Sequence, residues 1–367
     1  ISNNWFDKFE KETVYCAGDP DVEPVGTTSS AGKMSPHRML TTSVADENRL
    51  HTQMRGKTIG VALKDRGSIL PAGHTANGAY WFHGRDEGRW ITSSFYMQGL
   101  PKWVQDFNKS KKAESYMKTW NTLYDIASYV ESGIDKNDYE GGFKGKETAT
   151  FPYDLKKLGE SNGGFDIIKT TPYGNNLTTD FALAAIDGED LGQDEITDFL
   201  TISYSSTDYV GHNFGVNSVE VQDTYLRLDQ DLARLIKSLD EKVGEGNYTL
   251  FLTSDHGGVH VPSYLKSHRI PSGYFIDRDF ETALGEFVAN EFGTADLILN
   301  ISNDQIFFNY EIMAEKDVDA EELEEAISHF ALQYDHINMT FTRTQLEAAT
   351  YDHGMAALIV CSLRNIH

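Results

Sequence analysis

Two short segments each carry an aspartate and a histidine: Ser206-Thr207-Asp208-Tyr209-Val210-Gly211-His212 and Ser254-Asp255-His256-Gly257-Gly258. Carboxylate oxygen and imidazole nitrogen are ligands that zinc accepts in catalytic sites. Two such sets side by side would make a two-metal centre, with the ions about 3.5–4 Å apart. A third segment, Lys64-Asp65-Arg66, offers an ammonium and a guanidinium. On an extended backbone Lys64 and Arg66 point to one side, and such a pair suits the equatorial oxygens of a phosphoryl group. Each segment alone has an ordinary explanation. Short Asp-His pairs are more often a turn carboxylate and a satisfied histidine, and Lys-Asp-Arg more often a charged surface. What distinguishes these three is that each lies just past an apolar run.

Those runs read as strands. Thr58 to Leu63, Ile196 to Ser203 and Tyr248 to Thr253 are short, apolar and rich in β-branched residues. Between the last two lies a helical pattern with Val221, Tyr225, Leu228, Leu232, Leu235, Ile236 and Leu239 on one face and charges on the other, ended by Gly244 and Gly246. Strand, helix, strand is a crossover unit, right-handed by rule, which brings both strand C-termini to one sheet edge. Ligands of open α/β sheets sit just beyond that edge. The expected class is therefore α/β with a mainly parallel sheet. Residues 71–164 are rich in aromatics, among them Tyr80, Trp81, Phe82, Trp90 and Trp103, and read as a cap inserted over the active edge. A third section, near Asp277 to Thr340, mixes a helix around Ala320 to Leu332 with short strands such as Gln305 to Phe308.

The chain has 367 residues, with 56 acidic against 32 basic side chains and a formal net charge of -24. That field repels nucleic acid and anionic lipid, and it repels a phosphate ester too unless local cations reverse the sign in a pocket. No apolar run approaches the roughly 20 residues of a membrane-spanning helix. The two cysteines, Cys16 and Cys361, lie near opposite ends, so they form neither a disulfide framework nor a thiolate metal site. Such scarcity fits an exported protein. The sequence starts at Ile1 without a signal peptide's basic and apolar regions.

The segments Asn3-Asn4-Trp5, Gly26-Thr27-Thr28, Lys64-Asp65-Arg66-Gly67-Ser68-Ile69-Leu70-Pro71-Ala72-Gly73-His74, Ser206 to His212 and Ser254 to Gly257 resemble, in order, the PafA-like alkaline phosphatases. These are periplasmic phosphate monoesterases of the alkaline phosphatase superfamily, and the resemblance runs to about Glu347. It implies a three-layer α/β/α sandwich with an inserted cap. It also implies hydrolysis of small-molecule phosphate monoesters with two zinc ions, in the periplasm or outside the cell. Asp208 and His212 would hold one zinc, Asp255 and His256 the other. Lys64, Arg66 and Asn3 would contact the phosphoryl oxygens. The family's nucleophile is a threonine that becomes a phosphothreonine, hydrolysed in turn by zinc-bound hydroxide.

Three residues of the family pattern have no counterpart. The threonine and a further metal-binding aspartate precede the Asn-x-Trp segment in the family, and a third histidine ligand follows the point where residues 1–367 end. The resemblance thus implies an incomplete catalytic domain that holds zinc weakly and alone turns over monoesters negligibly. Of the other candidates, Thr41, Thr42, Thr27 and Thr28 suit turns and caps, His353 suits the surface, His260 and His268 the rim of the site, and His74 has no assigned role. Two rivals stand: a phosphodiesterase or nucleotide pyrophosphatase with the same metal ligands, and a product that binds metal or phosphate without turnover. The sequence holds no Cys/Ser-x-Pro-x-Arg of a sulfatase. The oligomeric state and the physiological monoester are not legible in it.

Overall fold

In the computed structural model, which describes residues 3–85, 87–348 and 354–355, the chain divides into a larger unit, Cys16–Ser272, and a smaller one made of Ile1–Tyr15 with Gly273–His367. The smaller unit begins with a hairpin of β1 (Asn4–Asp7) and β2 (Glu12–Tyr15), paired antiparallel. The larger unit carries β3 (Pro24–Val25), β4 (Thr58–Ala62), β5 (Gly78–His83), β6 (Arg89–Ser93), the short pair β7 (Thr119–Trp120) and β8 (Tyr153–Asp154), and β9 (Phe199–Ser203). A second hairpin, β10 (Ile298–Ser302) and β11 (Gln305–Phe308), belongs to the smaller unit. There Phe6 of β1 lies 5.1 Å, centroid to centroid, from Phe307 of β11.

The helices of the larger unit are α1 (Val44–His51), α2 (Asp65–Ala72), α3 (Lys102–Lys109), α4 (Lys112–Ser115), α5 (Leu155–Gly159), α6 (Pro172–Gly188), α7 (Ser206–Phe214), α8 (Val219–Leu239) and α9 (Pro262–Ser267). Those of the smaller unit include Asp277–Phe292 and Ala320–Gln333, whose Leu284, Val288, Leu323 and Ile327 share one core.

The central sheet has the order β3-β6-β5-β4-β9. β4 runs parallel to β5 and to β9, while β6 and β3 are antiparallel to their neighbours. β4 is buried along its whole length, as a central strand covered on both faces must be. Its side chains alternate between two helical layers. Ile59, Val61 and Leu63 enter the core that holds Leu177 and Phe181 of α6. Gly60 faces α2 so closely that a Cβ there would lie 2.4 Å from the Ser68 carbonyl oxygen. The architecture is an α/β/α sandwich of the expected class.

Two expectations differ from the structure. The run Tyr248 to Thr253 is not a strand: it pairs with nothing among the described residues, and Leu250, Phe251 and Leu252 are exposed. An apolar run becomes a strand only where a neighbour takes up its N–H and C=O groups, and among the described residues β9 pairs with β4 alone. The crossover therefore has its first strand and its helix, without the second strand. The aromatic stretch 71–164 also differs from a separate cap in its first part, because β5 and β6 are strands of the central sheet. From Ser94 onward it runs mostly as turns and short helices.

Candidate active site

The site is built at the C-terminal ends of β4 and β9. β4 runs into the buried Leu63 and then Lys64, which occupies the N-cap of α2. A lysine cannot accept a hydrogen bond from the helix's first N–H groups, so its ammonium is left to reach outward. Arg66 follows in the first turn of α2. The extended alternation expected for this segment is thus interrupted by the helix. Both side chains nonetheless line one cavity of about 120 Å³, together with Trp81, Phe82, Lys169 and Tyr209.

Beyond β9 the chain turns into α7, which puts Asp208 in the first turn and His212 one turn later on the same face. The opposite face holds Val210 and Phe214 in the core. The start of α7 is fixed against α6: the Ser206 N–H donates to Asn175 Oδ1 at 3.1 Å. A Cβ on Gly174 would lie 2.2 Å from Ser206 Oγ, so only glycine permits this approach.

Asp208 is the centre of the cluster. Its Oδ2 accepts a hydrogen bond from the Lys64 ammonium, which also lies 4.5 Å over the Tyr209 ring. Its Oδ1 is 3.3 Å from His212 Nε2 and 3.7 Å from His256 Nε2. Asp255 Oδ2 is 3.7 Å from the same His256 nitrogen. Asp208 is 22% exposed, whereas His212, His256 and Asp255 are open to solvent. Burial pushes the Asp208 carboxyl up, but the Lys64 hydrogen bond and charge, with both histidines, outweigh it and hold its pKa below the usual range.

His256 Nδ1 is 3.0 Å from the Gly257 carbonyl oxygen. A carbonyl can only accept, so the proton sits on Nδ1 and Nε2 presents its lone pair to two carboxylates. That arrangement calls for a positive charge between them. Accordingly the Gly257 carbonyl, Asp255 and Asp208 raise the pKa of His256. In kind, then, two carboxylates and two imidazoles fit a divalent cation. In number they come as pairs: among the described residues no three His, Cys, Asp or Glu side chains converge as a metal set.

The remaining candidates have other partners. His260 Nδ1 bonds Asn217 Oδ1 at 2.8 Å, and His268 packs on Tyr264 with centroids 4.2 Å apart. His74 Nε2 lies 3.0 Å from the Met39 carbonyl oxygen. Thr42 bonds Glu47 at 2.5 Å beside the Ser43 cap of α1. Asn3 is exposed and belongs to the smaller unit. His353 and Cys361 lie outside the described residues. Sequence reasoning gave no role to Tyr209, which stands inside the Asp208–His212 motif, and missed Lys169, which no motif marks; their place around the Lys64–Arg66 cavity singles them out.

Comparisons with known proteins bear on the family and the fold. Residues 1–364 match the family model described as type I phosphodiesterase / nucleotide pyrophosphatase. The chain is 46% identical, over 89% of its length, to alkaline phosphatase PafA of Elizabethkingia meningoseptica, covering 59% of that protein. It is 48% identical, over 85% of its length, to a Myroides odoratus protein named calcium-transporting ATPase, covering 57% of it. A crystal structure of wild-type alkaline phosphatase PafA superposes with a TM-score of 0.91 at 41% identity, over 97% of this chain and 68% of that one. The chain thus spans under two thirds of the length of these two curated relatives.

Proposed function

Because this chain belongs to the type I phosphodiesterase / nucleotide pyrophosphatase family and, within it, is a PafA-like alkaline phosphatase homologue, we propose that it carries out hydrolysis of phosphate monoesters to an alcohol and inorganic phosphate. The observation that carries this reading is Asp208, held between His212, His256 and the Lys64 ammonium at the ends of two adjacent parallel strands. Asp208 with His212, and Asp255 with His256, are the residues that would hold two zinc ions. Bound there, zinc supplies Lewis-acid activation and charge stabilisation for phosphoryl transfer.

The chain's own cations do the rest. Lys64 and Arg66 bind and orient the phosphoryl oxygens, reversing locally the sign of a chain whose net charge is -24. Asn3 is assigned to the same oxygens on resemblance alone. Tyr209, under the Lys64 ammonium, keeps its stem in place through the cation–π contact. Export to the periplasm or beyond belongs to the same reading, and fractionation of producing cells tests it.

The family description also covers diesterases. A monoester dianion carries more charge than a diester, and Lys64 with Arg66, lining one cavity, favour the monoester. The test is elemental analysis of residues 1–367, together with turnover of p-nitrophenyl phosphate and of its bis ester by the same residues joined to the family's threonine-bearing segment. Zinc that copurifies, and is lost in Asp208→Ala and His212→Ala, supports the reading. Zinc content that is unchanged in both variants overturns it, and faster turnover of the bis ester moves the assignment to the diesterase branch.

A further inference from the structure

The cavity beside Lys64 is lined also by a cation that the proposed reaction does not use. Lys169 lies in the last turn of the 3-10 helix Gly164–Thr170, with its ammonium 5.9 Å from the Phe82 ring centroid and 2.7 Å from Asp166 Oδ1. That oxygen is buried and has no hydrogen-bond partner. The contact is a close ion pair, and an ammonium has three N–H groups, so Lys169 keeps donors beyond the one turned to Asp166. Trp81, Phe82 and Tyr209 are the aromatic residues of the same lining as Lys169, Lys64 and Arg66, and Asp65 is its acidic one. In a chain of net charge -24, three cations line one small space, with Asp166 paired to Lys169, Asp208 to Lys64 and Asp65 in the lining, and such a gathering of donors suits an anion.

Lys64 links cavity and cluster, because it lines the first and hydrogen-bonds Asp208 in the second. We infer that Lys169 is a specificity residue which receives a second anionic group on the alcohol part of the substrate, so that the preferred monoesters are small and carry a carboxylate or phosphate beyond the scissile group. The cavity's volume of about 120 Å³ is well below the roughly 300 Å³ at which drug-sized ligands begin to fit. That holds a fragment of a few heavy atoms, and a nucleoside would project from it. The inference rests on the monoesterase reading, since Lys64 and Arg66 must hold the phosphoryl end.

Two phosphonates, which cannot be hydrolysed, test it by calorimetric titration of the zinc-loaded protein at low ionic strength, where exposed charges are least screened. Propylphosphonate reports the phosphoryl end alone, and 3-phosphonopropionate adds a carboxylate. The carboxylate compound is expected to bind about tenfold tighter, as one charge-assisted hydrogen bond supplies. Lys169→Gln removes that preference while leaving propylphosphonate affinity within about twofold, which also shows that the variant is folded; Lys169→Arg retains it. Equal affinities in the unaltered protein, or a Lys169→Gln loss that is the same for both compounds, overturn the inference while propylphosphonate binding that depends on Arg66 leaves the monoesterase reading standing. If neither compound binds, both fall.

Discussion

Glu220 offers a sharp test of how the aromatic excursion is joined to the α/β core. It sits in the first turn of α8, fully buried, and its Oε1 accepts the Tyr153 hydroxyl at 2.5 Å. Its Oε2 is buried without a hydrogen-bond partner, as is Oε2 of Glu140. Burial pushes the Glu220 carboxyl up; the Tyr153 hydrogen bond pulls it back, and the charges of Glu140 and Asp135 push further, to about 8. Burial likewise carries Glu140 to about 7, with Asn137 donating to it and Asp135 repelling it. The other charge near this group is Lys146, whose ammonium lies 5.4 Å from the Tyr153 ring centroid and whose field lowers Asp135.

The sign follows from which state holds the proton more tightly. The folded-state pKa of Glu220 lies above the ordinary 4.5, so the folded protein binds the proton better than the unfolded chain. Stability is then full below about 4.5, falls as the pH rises, and levels off above about 8. At about 1.4 kcal/mol per pH unit, the interval from 4.5 to about 8 amounts to about 5 kcal/mol, of which about 3–4 kcal/mol falls between about pH 5 and 8. For a unit of this size that corresponds to a melting shift of about 10 °C. Glu220→Gln keeps an acceptor for Tyr153 and cannot titrate. Glu140 and Glu220 titrate as a pair, so removing one charge also eases the other, in the same direction. Melting temperatures of the two proteins, measured at about pH 5 and pH 8 in one salt concentration, are expected to diverge at the higher pH in favour of the variant. A difference that is the same at both pH values refutes the buried-acid account.

Two further outcomes concern the helices that carry the site. Asp223 accepts from Trp120 Nε1, the Tyr129 hydroxyl, the Leu123 N–H and Arg227 Nε, so Asp223→Ala strands a guanidinium and three donors; a loss of about 3–5 kcal/mol in urea unfolding is expected, and a loss under about 1 kcal/mol would contradict it. Gly174→Ala forces Ser206 away from α6, costing about 1–3 kcal/mol and displacing Asp208; zinc affinity is expected to fall along with the melting temperature, whereas an unchanged zinc affinity would show that α7 does not position Asp208.

How much of this was legible in the sequence depends on whether the information is local. Asp208 and His212 were expected together just past a strand, and a helical turn, itself not expected there, is what joins them: four residues along α7 return to the same face. The interior strand β4 was equally plain, since its apolar run is covered on both faces. The helix face of α8 was only half legible. Tyr225 and Ile236, counted with the apolar stripe, are exposed, while Glu220, Asp223 and Asp231, counted with the charges, are buried. No periodicity marks a carboxylate whose partners are Tyr153, Trp120 and Tyr129, more than sixty residues away. The pair Asp255-His256 shows a subtler gap. Strand pairing was expected to deliver it, yet Tyr248 to Thr253 joins no ladder among the described residues. Instead the chain just after the pair is held against the α7–α8 connection: His260 bonds Asn217, and Val261 packs where a side chain on Gly215 would stand. Gly215 has φ +84 and Gly258 lies so close to Val216 that a Cβ would be 2.5 Å from it, so the two glycines rather than a β-ladder let His256 approach Asp208. An anchor made of side-chain packing is softer than a strand in a sheet. On that account the Asp255–His256 half of the cluster is the more mobile, and hydrogen exchange at residues 254–258 should slow when zinc is added while exchange in α7 changes little.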